Sequence, residues 1–406
     1  IKFHDKNTPA LPAAGKGQSG KVLLCPQQDY PATSVANFCT AVLTVQRGVL
    51  QQRAKADAEL TLKAYRAASV LINEHGPSPE NAWGVEFRQG LFNMTSDSHL
   101  FKTAEQLTDA GYKRKGSLWV RSEKPDDIWV PLYEAKMGDF FNHRASGYNS
   151  RGDDRGYRVL PETTLEEYAD PNFDPDPYYW VSTGEVEGSL NNIGWTRDWM
   201  FGFKLVTSPT NERTFFCNPM PRWGAGNSMC LLLPLQYQKS ALVSGLIANC
   251  SSLPFDFIAR QKAGGVNLNF FYVKQFPVFA PDFYTEPRLA FITPRVLELT
   301  YTSHSLAPFA RDLGHDGPPF TWDEDRRAHL RADLDAFYAR AYGLTRDELR
   351  YILDPADVKG ADYPSETFRV LKEKEIRHHG EYRTRRLVLS AWDRMEANGE
   401  FAAMGM

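Results

Sequence analysis

Hydrophobic and polar positions follow three successive patterns along this chain. From about Ala32 to Asn73 the apolar step is helical: in KADAELTLKAYRAASVLI, Ala58, Leu62, Tyr65 and Ser69 recur every three or four residues and form one face. From Trp83 to about Pro281 short aromatic and β-branched runs are broken by Gly, Pro, Asn and Asp. SLWVRS, DIWVPLYE, YYWVSTGEV, FGFKLVT and ERTFFCN are predicted strands there. SALVSGLIANCSSLPFDFIARQ interrupts them as a helix expected to break or kink near Pro254, which lacks the N–H the helix needs. Beyond Trp322 helical spacing returns in WDEDRRAHLRADLDAFYARAYGL and in TRDELRYILD, where Thr345 and Glu348 fit a capping box. Residues 1 to 30, rich in Pro, Gly and Lys, follow neither period and read as a wrapping or linker segment. The expectation is an α+β chain: a linker and helical segment over 1–80, a mixed-strand domain over 81–290 and a helical domain over 291–406.

Composition narrows the function classes. A length of 406 residues with 42% hydrophobic and 24% charged residues is ordinary for a globular protein of two or three domains. The formal net charge of −3 gives no global attraction to nucleic acid or to an anionic membrane, so such a partner must be held by local basic patches. Cys25, Cys39, Cys217, Cys230 and Cys250 form no C-x-x-C pair and read as reduced thiols of a cytoplasmic protein; no histidine spacing around them suits zinc. No apolar run approaches a membrane span, and no membrane partner is expected. The chain opens on Ile1 and not on Met, so it is expected to be the later part of a longer polypeptide.

Several stretches imitate catalytic motifs. GKGQSGKV (15–22) nearly spells a phosphate loop, but Val22 stands where a metal-binding hydroxyl is needed and no strand precedes Gly15. PDDIWVPLYEAKMGDFFNHR (125–144) carries the Asp…Glu-x-Lys pattern of many nucleases in Asp127, Glu134 and Lys136. A shared metal requires both carboxylates at roughly 2 Å from one ion. If IWVPLY is one extended strand, the seven-residue separation places them roughly 23 Å apart, at about 3.3 Å per residue. A Mg²⁺-dependent nuclease using Glu134 and Lys136 is therefore the lesser alternative. A structural subunit that never reads bases is the other. Methyl transfer to an exocyclic amine needs [DNS]-P-P-[YFW]. DPDPYYW splits the prolines, GPPF offers Gly317 in place of an acceptor side chain, and RWGAGNS lacks the acidic partner of a cofactor loop. No catalytic residue, bound cofactor or metal is expected in this chain.

What remains suits reading. NHRASGYNSRGDDRGYR (142–158) concentrates Arg, Asn, Tyr and Gly, which pair with base edges, stack and let backbone approach closely. IARQKAGGVNLNFF (258–271) repeats the theme around Gly264 and Gly265, with Arg260, Gln261, Lys262 and Asn267. Arg144, Asn149, Arg151 and Arg155 are the candidates for base edges, with His143 and Tyr148 beside them. Lys136, Arg260, Lys262 and Lys274 are the candidates for phosphates. RHHGEYRTRRL (377–387) is a further basic patch, suited either to DNA or to the chain's own acidic surface.

PLYEAKMGDFFNHRASGY resembles the P-L-Y-E-G-K-M…F-D-H-R signature of large adenine-N6 DNA methyltransferases of restriction–modification and phage-defence systems, the type IIG-like enzymes and their relatives. DAELTLKAYRAASVL, WGVEFRQGLFNMTSDSHLF, PYYWV, TNERT, FDFIARQKAGGVNLNFFYVKQFPV, RADLDAFYARAYGLTRDELRYIL and GEYRTRRLVLSAWD resemble further blocks of that family. They stand in its order from about Asp57 to Asp393. Ala135 and Asn142 depart from the usual Gly and Asp. The resemblance implies the target-recognition half of such an enzyme, with double-stranded DNA as partner. S-adenosylmethionine is then expected on a catalytic domain that precedes these blocks, in the same polypeptide or a separate chain, and other defence-system subunits are further partners.

Overall fold

The computed structural model describes residues 20–23, 40–43, 47–74, 80–148, 160–208, 211–236, 239–263, 266–364 and 367–406, with side chains from residue 55 onward. The fold is α+β. Its strands are β1 Gly20–Leu23, β2 Thr40–Leu43, β3 Val85–Arg88, β4 Phe101–Lys102, β5 Lys113–Lys115, β6 Leu118–Arg121, β7 Lys124–Tyr133, β8 Trp180–Ser182, β9 Trp199–Lys204, β10 Cys217–Pro221, β11 Gly224–Ala225 and β12 Met229–Pro234. The helices of the first part are α1 Arg47–Ala67, α2 Ala104–Asp109, α3 Leu165–Ala169, α4 Thr183–Ile193, α5 Ser240–Ser251, α6 Leu253–Lys262 and α7 Phe270–Lys274. Those of the C-terminal part are α8 Glu286–Thr300, α9 Ala307–Asp312, α10 Glu324–Ala341, α11 Arg346–Leu353, α12 Pro355–Lys359, α13 Arg369–His379, α14 Arg383–Ala397 and α15 Glu400–Ala403.

Two sheets organise the middle of the chain. A four-stranded antiparallel sheet runs β10-β9-β12-β3, and a six-stranded one runs β4-β8-β7-β6-β5 with β11 parallel to β7. Strands β9, β10 and β12 read as nearly unbroken apolar runs because both of their faces are covered, and almost every residue in them is buried. One hydrophobic core runs from Leu60 through both sheets to Met404. A satellite of Leu107, Tyr112, Trp119, Trp129 and Trp180 supports the β5–β7 end of the second sheet.

The predicted break near Pro254 is present: α5 and α6 meet at Ser252 with a bend of 59°, and Ser252 caps α6 through the Phe255 N–H. The Thr345–Glu348 capping box is also present. Among the described residues no single helix is long and apolar enough to cross a membrane. Four expectations need correction. ERTFFCN is strand only from Cys217, because the Thr214 and Phe215 N–H groups are taken by Asp256 and not by a neighbouring strand. Gly20–Leu23 and Thr40–Leu43 pair as an antiparallel ladder, so part of the linker segment is strand and the helix begins at Arg47, not near Ala32. The buried stripe of α1 is Asp57, Leu60, Thr61 and Ala64, continued by Ala68 just past its end, and is displaced from the predicted face by about one position. YYWVSTGEV turns into helix α4 after only three strand residues, because Ser182 caps the Glu185 N–H.

Candidate nucleic-acid interface

The segment 131–148 begins as strand and ends as a joint. β7 continues unbroken from Lys124 to Tyr133, the extended strand expected of DIWVPLYE, and the Tyr112 hydroxyl donates to Asp127 at 2.7 Å. The chain then folds through a short 3-10 turn, Ala135–Met137, and a tight turn in which Asp139 and Asn142 exchange backbone hydrogen bonds. Phe141 closes that turn at φ +52°, the only non-glycine residue of positive φ among those described. This conformation costs about 1–2 kcal/mol for a side-chain-bearing residue. Burial of the ring and a hydrogen bond from Arg327 Nη2 to the Phe141 carbonyl hold it in place. Gly138 is required beside it, since a Cβ there would meet the Tyr133 hydroxyl at 2.6 Å. That hydroxyl donates to the His143 carbonyl.

His143 and Arg144, expected at base edges, point inward. Arg144 has no exposed surface; Nη1 donates to the carbonyls of Asp170 and Phe173, and Nη2 to those of Tyr168 and Thr302, at 2.8–3.3 Å. His143 Nε2 lies 3.0 Å from the hydroxyls of Ser303 and Ser305, both of which donate to Asp174. Burial lowers the His143 pKa, against the opposing pull of Asp174. Asn142 donates to the Tyr168 hydroxyl and accepts from the Arg144 N–H. Tyr168 stacks on Trp322 at 3.7 Å, and Arg327 lies over the other ring of that pair, 3.7 Å from the Trp322 centroid. Asn-His-Arg is thus a polar joint between the second sheet and the segment 299–327. The reason sequence misplaces it is general: a guanidinium that bridges four carbonyls is indistinguishable in one dimension from one that faces a base.

The remaining expected contacts divide. Lys136 is about one-third exposed (32%); its ammonium lies 3.5 Å from Glu134 and 4.9 Å from the Tyr148 ring centroid. Tyr148 is buried, donates to Glu134 at 3.0 Å and meets Tyr178 edge-on, so its face is not open for a base to stack. Arg260 is buried as well. Its Nε donates to Asp256 at 2.8 Å and its Nη2 to the carbonyls of Asn211 and Glu212, which pins the β9–β10 loop. Lys262 is buried against Tyr65 and donates to the carbonyl and side chain of Gln275; burial lowers its pKa to about 6. Neither Arg260 nor Lys262 is placed to hold a phosphate. Lys274 pairs with Glu74 at 2.5 Å, Gln261 is half-buried, and Asn267 is exposed where it bridges Val206. Asn149, Arg151, Arg155, Gly264 and Gly265 lie outside the described residues. The ends of the 149–159 segment are anchored, however: Gly147 donates to the Pro161 carbonyl and Thr163 to that of Ala145.

The patch at 377–387 turns largely to the chain's own acids. Arg383 pairs with Asp325, Arg385 with Asp354 and Asp357, and Arg386 with Glu381. Three basic residues that the sequence did not single out lie along the contact between the β9–β10 loop and α10: Lys204 ends β9, Arg213 is in the loop 4.0 Å from Asp335 of α10, and Arg331 is on α10 itself. Arg213 and Arg331 fall inside the TNERT and RADLDAFYARAYGLTRDELRYIL blocks, but no spacing joins the three, because they come from a strand, a loop and a helix far apart in the chain. A scan against protein-family models finds none that matches this chain, and a search of curated proteins finds no match either.

Proposed function

We propose that this chain is the DNA-recognition region of a site-specific adenine-N6 DNA methyltransferase of a restriction–modification or phage-defence system, acting in the cytoplasm. The observation that carries the reading is the run of signature-like blocks in family order from about Asp57 to Asp393. The fold supports it in one respect: the P-L-Y-E-A-K-M segment leads directly into the anchored base of the Arg- and Asn-rich segment 149–159. The target adenine is flipped into a pocket on the catalytic domain, where S-adenosylmethionine binds, at a cost of about a few kcal/mol that contacts to the held duplex offset. Base discrimination falls to Arg151, Arg155 and Asn149, and Lys136 holds phosphate near them.

The test is selection from a random duplex library at low salt with Mg²⁺, with bound and cut fractions sequenced. The reading expects an enriched motif in intact bound DNA, and Arg151→Ala weakening that motif by roughly 1–3 kcal/mol over random duplex. Sequence-indifferent binding would replace it with a bridging subunit. Cut ends that vanish in Glu134→Gln would replace it with a nuclease.

A further inference from the structure

We propose that Lys204, Arg213 and Arg331 form an oxyanion site where the end of β9 and the β9–β10 loop lie against α10, and that it takes a backbone phosphate of DNA. The assignment of the phosphate to DNA rests on the recognition reading above. Arg213 lies 4.4 Å from the centroid of Phe140, and the Lys204 ammonium 4.4 Å from that of Phe216. The two rings meet edge-to-face at 5.9 Å, so two cations stand on one aromatic platform. Arg331 approaches from α10, one turn beyond Arg327, and its charge is felt by both Arg213 and Arg327.

The partners of these cations are few. Arg331 is half-buried and makes no hydrogen bond or ion pair with any described residue. The Arg213 side chain is 9% exposed, its Nη1 has no hydrogen-bond partner among the described residues, and its nearest carboxylate, Asp335, is 4.0 Å away. Lys204 makes no ion pair with a described residue and has only the Phe216 ring against its ammonium. The carboxylates nearby are mostly engaged. Glu212 pairs with Lys374 at 2.9 Å, and Asp335 accepts the Leu253 N–H at 2.6 Å. Asp139 influences both Lys204 and Arg331 yet pairs with neither. Burial lowers the pKa of both residues.

A cation held away from water without a counterion is costly, and one beside other cations more so. A phosphodiester relieves that cost, because its two free oxygens accept from the guanidinium forks and the ammonium together. Position favours a nucleic-acid phosphate over a small anion. The site includes the β9–β10 loop, whose Glu212 is held at 2.9 Å by Lys374, and the field of Glu162, beside the base of the 149–159 segment, reaches that ammonium.

Arg331→Ala and Lys204→Gln test the site in this 406-residue chain, with duplex titrations over a salt series and thermal melts with and without inorganic phosphate. Both variants should fold, and Arg331→Ala should melt at or above the wild-type temperature, since it removes a charge without a partner. Each should weaken every duplex sequence by about five- to tenfold and reduce the salt slope by about one. If the wild type binds duplex and both variants match it in affinity and slope, the site is wrong and the recognition reading stands. If the wild type binds no duplex, but phosphate raises its melting temperature and not that of the variants, the oxyanion site stands and its assignment to DNA fails with that reading. Absence of both effects overturns the site and its ligand together.

Discussion

Arg144 and Arg331 lie on two sides of the same junction. Arg144 places its terminal nitrogens on four backbone carbonyls and has no surface, whereas Arg331 meets no acceptor among the described residues and is half-buried beside two other arginines. The contrast separates cations that build the fold from cations left for a ligand. A guanidinium whose terminal nitrogens are all answered within the chain cannot also read a base without leaving carbonyls bare. One whose donors are unanswered weakens the free protein and strengthens a complex.

The contrast is broken most directly at Arg144. Arg144→Ala strands four carbonyls and the Tyr168 ring it covers, and should lower stability by roughly 3–5 kcal/mol in urea unfolding. Arg144→Lys should recover little of it, because an ammonium cannot span the same fork. If Arg144→Ala unfolded at the wild-type midpoint but lost duplex binding, the assignment of Arg144 to the fold would be wrong. Arg260→Ala follows in size. It leaves Asp256 fully buried with, among the described residues, only the Thr214 and Phe215 N–H groups as donors, and roughly 3 kcal/mol of destabilisation is expected, with faster proteolysis at the freed β9–β10 loop.

How much of this was legible in the sequence depends on the range of the interaction. Pro254 broke its helix, Thr345 and Glu348 closed their box, and β7 was read correctly, because propensity and capping act over a few residues. Arg144, Arg260 and Lys262 were misread because their partners lie 13 to 158 residues away or, for Asp256 at i−4, inside an apolar helix that gave no sign of being buried on every side. The seam of Lys204, Arg213 and Arg331 was not read at all. None has a role in one dimension until the β9–β10 loop and α10 are brought together, and what distinguishes them is how few partners they have among the described residues.

Lys262 allows a smaller effect with a definite sign. Its folded pKa is about 6 against an ordinary 10.5, so between those values the unfolded chain binds a proton that the folded chain does not. Stability contributed through this group therefore rises with pH from about 6 to 10.5, by up to about 1.4 kcal/mol per pH unit. The difference between wild type and Lys262→Met isolates it. The variant should be the more stable at pH 7, and the two should converge as pH approaches 10. Parallel curves across that range would show that Lys262 remains charged in the fold, and would return it to the set of cations available to a phosphate.

Lys136 should give the smallest change in stability and sharpens the comparison most. It shares a segment with Arg144 but is one-third exposed, and its nearest carboxylate is 3.5 Å away. Exposed pairs of this kind contribute about 0–1 kcal/mol, so Lys136→Ala should shift the unfolding midpoint little. Its effect belongs to the duplex: a loss of about the same size for every sequence, and a salt slope reduced by about one. If Lys136→Ala instead destabilised the chain as Arg144→Ala does, the ammonium over the Tyr148 ring would be part of the same joint. The boundary between fold and interface would then lie beyond Tyr148, in the 149–159 segment itself.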